Sequence, residues 1–181
     1  GQADFELNTF RDERACRWGG NFYFPLLAGQ PTSPYVMSGI MGHHLASLLG
    51  NEEKIQEYES ALYSTADYFL GNNPLNMTWI TGVGERSPTD ICHLDSWILG
   101  GDTPRYGIVP YGPWTADQGL GPQGPWNHQW AFNFIYPTEI GDWPAHERHF
   151  NQRTSPLTSE FTVNQTMANS IFTYGYLYGL T

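Results

Sequence analysis

Lysine is almost absent from this sequence. Lys54 is the only one, and eight basic side chains stand against 18 acidic ones, a formal charge of −10. That balance excludes a nucleic-acid partner, which needs a basic face to neutralise phosphates. It also excludes a polybasic segment for an anionic membrane surface. Charge of either sign is scarce, 14% of residues against roughly 25% in an ordinary soluble domain. Long apolar runs are missing too, and none approaches the ~20 residues of a bilayer-spanning helix. Two cysteines, Cys16 and Cys92, make one bridge at most and no disulfide framework. What the chain does have is aromatic area. Its 7 Trp, 11 Tyr and 10 Phe supply large buried surfaces and argue against disorder. The sequence describes a soluble, acidic, tryptophan-rich globular protein with an uncharged partner.

Texture divides the chain. From Pro34 onward Tyr35, Val36, Ile40, Met41, His44, Leu45, Leu48 and Leu49 recur at helical steps, predicting a helix over about 35–50. Gly50-Asn51 is a stop signal, since both residues tolerate a left-handed cap. A second helix over about 52–70 opens on Glu52 and Glu53, which suit the positive end of the helix dipole. Its apolar face carries Ile55, Tyr58, Leu62, Ala66, Phe69 and Leu70, and the two helices form an antiparallel hairpin. Periodicity returns over about 158–179, with Phe161, Val163, Met167, Ile171, Tyr174 and Leu177 as candidate core positions. Between them, about 71–157 forms a Gly- and Pro-rich loop face with six of the seven tryptophans; only a short extended run at Trp130–Tyr136 is suggested there. Loops of that length are usually functional.

Several chemistries lack support. In Trp143-Pro-Ala-His-Glu-Arg-His149 the histidines stand three apart, whereas a zinc helix needs four. His43 and His44 point to different helix faces and read as one packed and one surface residue. No metal site is named. No Gly-x-Ser-x-Gly elbow is present, and Gly82-Val83-Gly84 lacks the third glycine of a dinucleotide loop. The sequons at Asn76 and Asn164 are weak signals. Carboxylates among aromatics are the stronger lead, because sugars stack on Trp and Tyr and glycosidic bonds are cleaved by paired carboxyls. Glu160 falls in the opening turn of the last predicted helix. It fits either a general acid or a residue that merely answers the helix dipole behind a Thr158 or Ser159 cap.

A family resemblance is carried by separate motifs in order. They are Asp67-Tyr-Phe-Leu-Gly-Asn-Asn-Pro-Leu75, Thr78-x-Ile-Thr-Gly82-Val-Gly84-x-Arg86-x-Pro88-x-x-Ile91 and Ser159-Glu160-Phe-Thr162, with Trp18-Gly19-Gly20-Asn21 upstream. Together they resemble the C-terminal part of the glycoside hydrolase family 9 catalytic domain, over about residues 17–179. That family contains inverting cellulases on an (α/α)6 barrel. The resemblance implies an all-α fold, with residues 1–181 as part of such a barrel bearing a large aromatic loop face. It places Glu160 on the family's general acid. The family's base, an aspartate in an Asp-Ala-Gly-Asp-type motif, has no counterpart here, so the 181-residue chain is expected to be inactive alone. The opening segment, polar and without signal-peptide character, reads as the middle of a longer chain.

This sequence departs from the family in places. Where family members carry His-x-Arg it reads Cys92-His93-Leu94; a usual Asp before the acid aligns with Asn151, and an Asn after it with Thr166. The cleft residues expected from position and type are His93, Arg86, Trp97, Tyr111 and Trp114, with Arg148 and Arg153 as alternatives for orienting the acid or contacting hydroxyls. The implied partners are a β-linked oligo- or polysaccharide and the remainder of the catalytic domain. The implied location is secreted or periplasmic. No cofactor is named, and calcium is left open. The alternatives are an exo-acting glucosaminidase of the same family, a non-catalytic carbohydrate-binding chain, and a structural helical fragment. Asp95, Asp102 and Asp142 suit an amino sugar or are simply solvated loop acids.

Overall fold

The computed structural model describes residues 36–99, 105–113, 136–137, 142–144, 147, 149–154 and 156–181. The expectations for Cys16, Trp18–Asn21, Asp102, Trp114, Arg148 and most of the Trp130–Tyr136 run lie outside the described residues. Helix α1 spans Val36–Leu48 and α2 spans Glu52–Phe69. The turn between them is held from both sides. Gly50 adopts φ +64°, Asn51 N–H donates to the Ala46 carbonyl at 3.0 Å and Gly50 N–H to that of Ser47 at 3.2 Å. This is the glycine-terminated Schellman arrangement. The Asn51 side chain then accepts from Lys54 N–H at 3.1 Å and caps α2. A second cap of the same kind ends α2, where Asn72 N–H reaches the Asp67 carbonyl at 2.9 Å and Gly71 sits at φ +119°.

The buried face of α2 is the one its periodicity predicts. Tyr58, Leu62, Ala66 and Phe69 are buried, Ile55 is half-buried and Leu70 is exposed. For α1 the structure corrects the expectation. The buried positions are Val36, Gly39, Ile40, Gly42, His43 and Ala46, whereas Met41, Leu45, Leu48 and Leu49 are exposed and so is His44. The buried face carries the small residues Gly39, Gly42 and Ala46, and the large apolar side chains lie on the other side. His43 Nδ1 pairs with the Tyr176 hydroxyl at 2.7 Å across this packing.

The predicted helix over 158–179 is broken in three. A single turn, α4, spans Pro156–Ser159 and ends before Glu160; a wider π turn spans Val163–Met167; and α5 spans Ala168–Tyr178. At the break the Thr158, Ser159 and Glu160 carbonyls accept from the N–H groups of Gly112, Cys92 and Tyr111 instead of from a following helical turn, and Thr166 closes the next turn. Thr166 is fully buried, its hydroxyl donates to the Thr162 carbonyl at 2.9 Å, and Thr162 N–H donates back to it at 3.0 Å. Side-chain oxygens that satisfy main-chain groups compete with regular helix bonding. As a result Glu160 lies in the link between turns, not inside a helix. Leu177 and Tyr174 of α5 pack against α1 and α2, and the Tyr174 hydroxyl donates to the Ala66 carbonyl at 2.9 Å. Val163 and Ile171, expected in the core, are exposed.

The loop face is bonded rather than loose. Asn73, buried, donates to the carbonyls of Tyr68 and Met77 at 2.8 and 2.7 Å and accepts from two backbone N–H groups. Trp79 N–H reaches the Phe69 carbonyl at 2.7 Å, and the indole is fully buried with Tyr68, Phe69 and Val109. Thr81 fastens the 105–108 stretch. Its N–H donates to the Ile108 carbonyl at 2.9 Å, its hydroxyl donates to the Arg105 carbonyl, and Ile108 N–H donates to that hydroxyl at 2.9 Å. Gly82 must be glycine, since a Cβ there would stand 1.7 Å from the Tyr106 ring and its φ is +74°. One short helix, α3, interrupts the expected loop at Leu94–Ile98. Among the described residues no helix is long and apolar enough to cross a membrane.

Candidate active site

Glu160 is held by its backbone from two sides. Tyr111 N–H donates to the Glu160 carbonyl at 2.8 Å, Gly112 N–H to that of Thr158 at 3.1 Å, and Cys92 N–H to that of Ser159 at 3.1 Å. A third loop joins below, where the Thr158 hydroxyl donates to the Phe150 carbonyl at 3.0 Å. Thr158 and Ser159 are buried, while Glu160 is half-buried. Three loops distant in sequence therefore fix the main chain on which this carboxyl stands.

Partial burial removes water from the Glu160 carboxylate and raises its pKa above the usual range. The Cys92 thiol and Tyr111 hydroxyl are raised as well, first by their own burial and then by the Glu160 charge, which disfavours a second anion nearby. A hydrogen bond to Thr162 works the other way on Tyr111. A carboxyl that keeps its proton into milder pH can deliver it to a leaving oxygen. Cys92 is a free thiol.

His93 stacks on Phe161, the residue after Glu160, with ring centroids 5.7 Å apart and planes at 28°. Trp97 on α3 is partly exposed, and Arg86 is exposed on the Gly82–Gly84 loop. Arg153 is engaged elsewhere. Its guanidinium pairs with Asp90 and its backbone N–H donates to the same carboxylate at 2.9 Å. Asn151 clamps the same stretch, accepting from the N–H groups of Thr89 and Asp90 at 2.9 and 3.0 Å. These two residues tie the loop leading to His93 to the link leading to Glu160. Asp95 and Asp142 are exposed. Among the described residues no group of three or more His, Cys, Asp or Glu side chains is placed to hold a metal ion. Sequence reasoning missed Ser96, which bonds to His93, and Arg105, which bonds to Ser96, contacts that no periodicity announces.

His149 stands edge-on to Trp79, centroids 4.8 Å apart at 81°, and among the described residues neither of its ring nitrogens has a partner. Burial lowers its pKa to about 3, against an ordinary imidazole near 6.5. The unfolded chain then binds a proton below about pH 6.5 that the folded chain refuses. This contribution to stability is complete above that pH and shrinks as pH falls towards 3, by up to about 1.4 kcal/mol per pH unit. Urea midpoints measured from pH 7 to 4 are expected to drop more steeply in the native protein than in His149→Phe. Parallel curves would contradict it.

The fold and the site together define a helical protein that fixes a half-buried carboxyl among aromatic loops. The chain belongs to glycosyl hydrolase family 9, whose model matches residues 17–173. It is similar to a metagenome-derived glycoside hydrolase family 9 endoglucanase, at 23% identity and a TM-score of 0.52, covering 80% of this chain and 21% of that one. It is similar also to a single mutant of a thermostable endoglucanase from Alicyclobacillus acidocaldarius, at 20% identity and a TM-score of 0.54, covering 97% and 30%. A third is AaCel9A in complex with cellobiose-like isofagomine, at 19% identity and a TM-score of 0.53, covering 98% and 31%. The chain thus spans less than a third of the length of these structures. No curated protein matches it. The shared fold makes its helices part of an (α/α)6 barrel.

Proposed function

We propose that this chain supplies the general acid for inverting hydrolysis of β-1,4-glycosidic bonds in cellulose or related β-glucan oligosaccharides. Glu160 protonates the departing oxygen. The base is an aspartate on polypeptide outside these 181 residues, across a gap of roughly 6.5–9.5 Å that admits the attacking water. The observation that carries this reading is the Glu160 carboxyl, half withdrawn from water on a main chain bonded to Cys92 and Tyr111. His93, Trp97, Tyr111 and Arg86 are the cleft residues of the proposal, and Trp114 and Arg148 belong to it on sequence grounds. Two carboxyls suffice for this chemistry, so no cofactor is invoked. A polymeric glucan meets its hydrolase outside the cytoplasm, and the reading places the protein in a secreted or periplasmic setting.

The test is direct. Cello-oligosaccharides added to the 181-residue chain are expected to change its tryptophan fluorescence without being hydrolysed. A flat titration removes the sugar cleft. Turnover by the chain alone removes the assignment of the base to other polypeptide.

A further inference from the structure

His93 is the N-cap of α3, and the bonds to its ring run in one direction. Arg105 Nε lies 3.0 Å from Ser96 Oγ, and a guanidinium only donates, so this bond occupies a lone pair of the hydroxyl. The hydroxyl proton is then free for His93 Nδ1, 2.7 Å away. Ser96 backbone N–H, again only a donor, lies 3.2 Å from the same nitrogen. A proton on Nδ1 would face that N–H head-on. Nδ1 is therefore the acceptor, and a neutral imidazole carries its hydrogen on Nε2.

Resting on the functional reading above, we infer that Arg105 and Ser96 are positioning residues. They hold His93 in the Nε2–H tautomer, so that the ring stacked on Phe161 presents a hydrogen-bond donor to substrate beside Glu160. The anchoring is independent of α3: the Arg105 carbonyl is fastened by the buried Thr81, so the guanidinium starts from a fixed backbone. The ligand chemistry that matches this donor is an acceptor oxygen, the hydroxyl or ring oxygen of an uncharged sugar. A group with only N–H donors to offer, such as a protonated amine, has nothing to give it.

Nitrogen-15 spectra of the imidazoles in the full 181-residue chain decide the matter, with His93 assigned by the signal lost in His93→Gln. Under mildly alkaline conditions His93 is expected almost wholly as Nε2–H. Ser96→Ala is expected to yield a mixture with Nδ1–H, Arg105→Gln a smaller shift the same way, and Ser96→Thr, which keeps the hydroxyl, the native spectrum. A native Nδ1–H form, or an unaltered tautomer in folded Ser96→Ala, would overturn the inference. These spectra require no substrate, so a failed cello-oligosaccharide titration with the expected tautomers would reject the sugar cleft alone.

Discussion

Glu160→Gln is expected to lower turnover by roughly 10²–10⁴ on substrates with poor leaving groups, the span typical for loss of a positioned general acid. The assay uses this chain joined to the remainder of a catalytic domain that bears the aspartate base. Glutamine keeps the size of the side chain but has no acidic proton to give, so binding should change little. A substrate whose leaving group needs no protonation should be cleaved at nearly the native rate by the same variant. The pH profile supplies a second check. Burial raises the Glu160 pKa, so the native alkaline limb should lie above the ordinary carboxylate range and should vanish in the variant. Near-native turnover of unactivated cello-oligosaccharide would remove Glu160 as the acid.

Trp79→Ala is expected to cost about 3–5 kcal/mol in unfolding free energy, since a large buried side chain leaves a cavity its neighbours fill only in part. The indole is fully buried against Phe69 and Val109 and meets the edge of His149. The Trp79 backbone N–H, which every variant keeps, joins α2 to the loop face by donating to the Phe69 carbonyl. Trp79→Phe separates packing from polarity. Among the described residues the buried indole Nε1 has no partner, and an unpaired donor in the interior costs roughly 1–3 kcal/mol. Phenylalanine removes that cost along with some volume, so its penalty should be less than half that of alanine. Urea denaturation of the three proteins provides the measurement, and equal losses for Phe and Ala would contradict the account.

Much of the scaffold was readable one residue at a time. Gly50, Asn51, Glu52 and Gly71 act through local geometry and charge, and helix α2 begins and ends where they say. Its amphipathic face was equally legible, because a helix with a polar side must turn the other inward. α1 was not, because it is apolar on more than one side. Which side is buried depends on what packs against it, and Gly39, Gly42 and Ala46 lie on the buried side. The last helix was misjudged for a different reason. The N–H groups that bond the Thr158, Ser159 and Glu160 carbonyls come from distant loops, and a buried threonine hydroxyl that bonds four residues back looks, in sequence, like any helical threonine.

The site divides the same way. Its family, its motifs and Glu160 as the candidate acid came from residue identities in order along the chain. The environment of that carboxyl came from elsewhere. Cys92, Tyr111 and Phe150 reach the Thr158–Glu160 segment from positions between eight and 67 residues away, and Arg153, a candidate for orienting the acid, pairs with Asp90. Local sequence sets torsions, caps and helix faces, because those depend on neighbours within a turn. The desolvation of one carboxyl and the hydrogen position on one imidazole depend on which distant groups arrive beside them, and only the packed chain decides that.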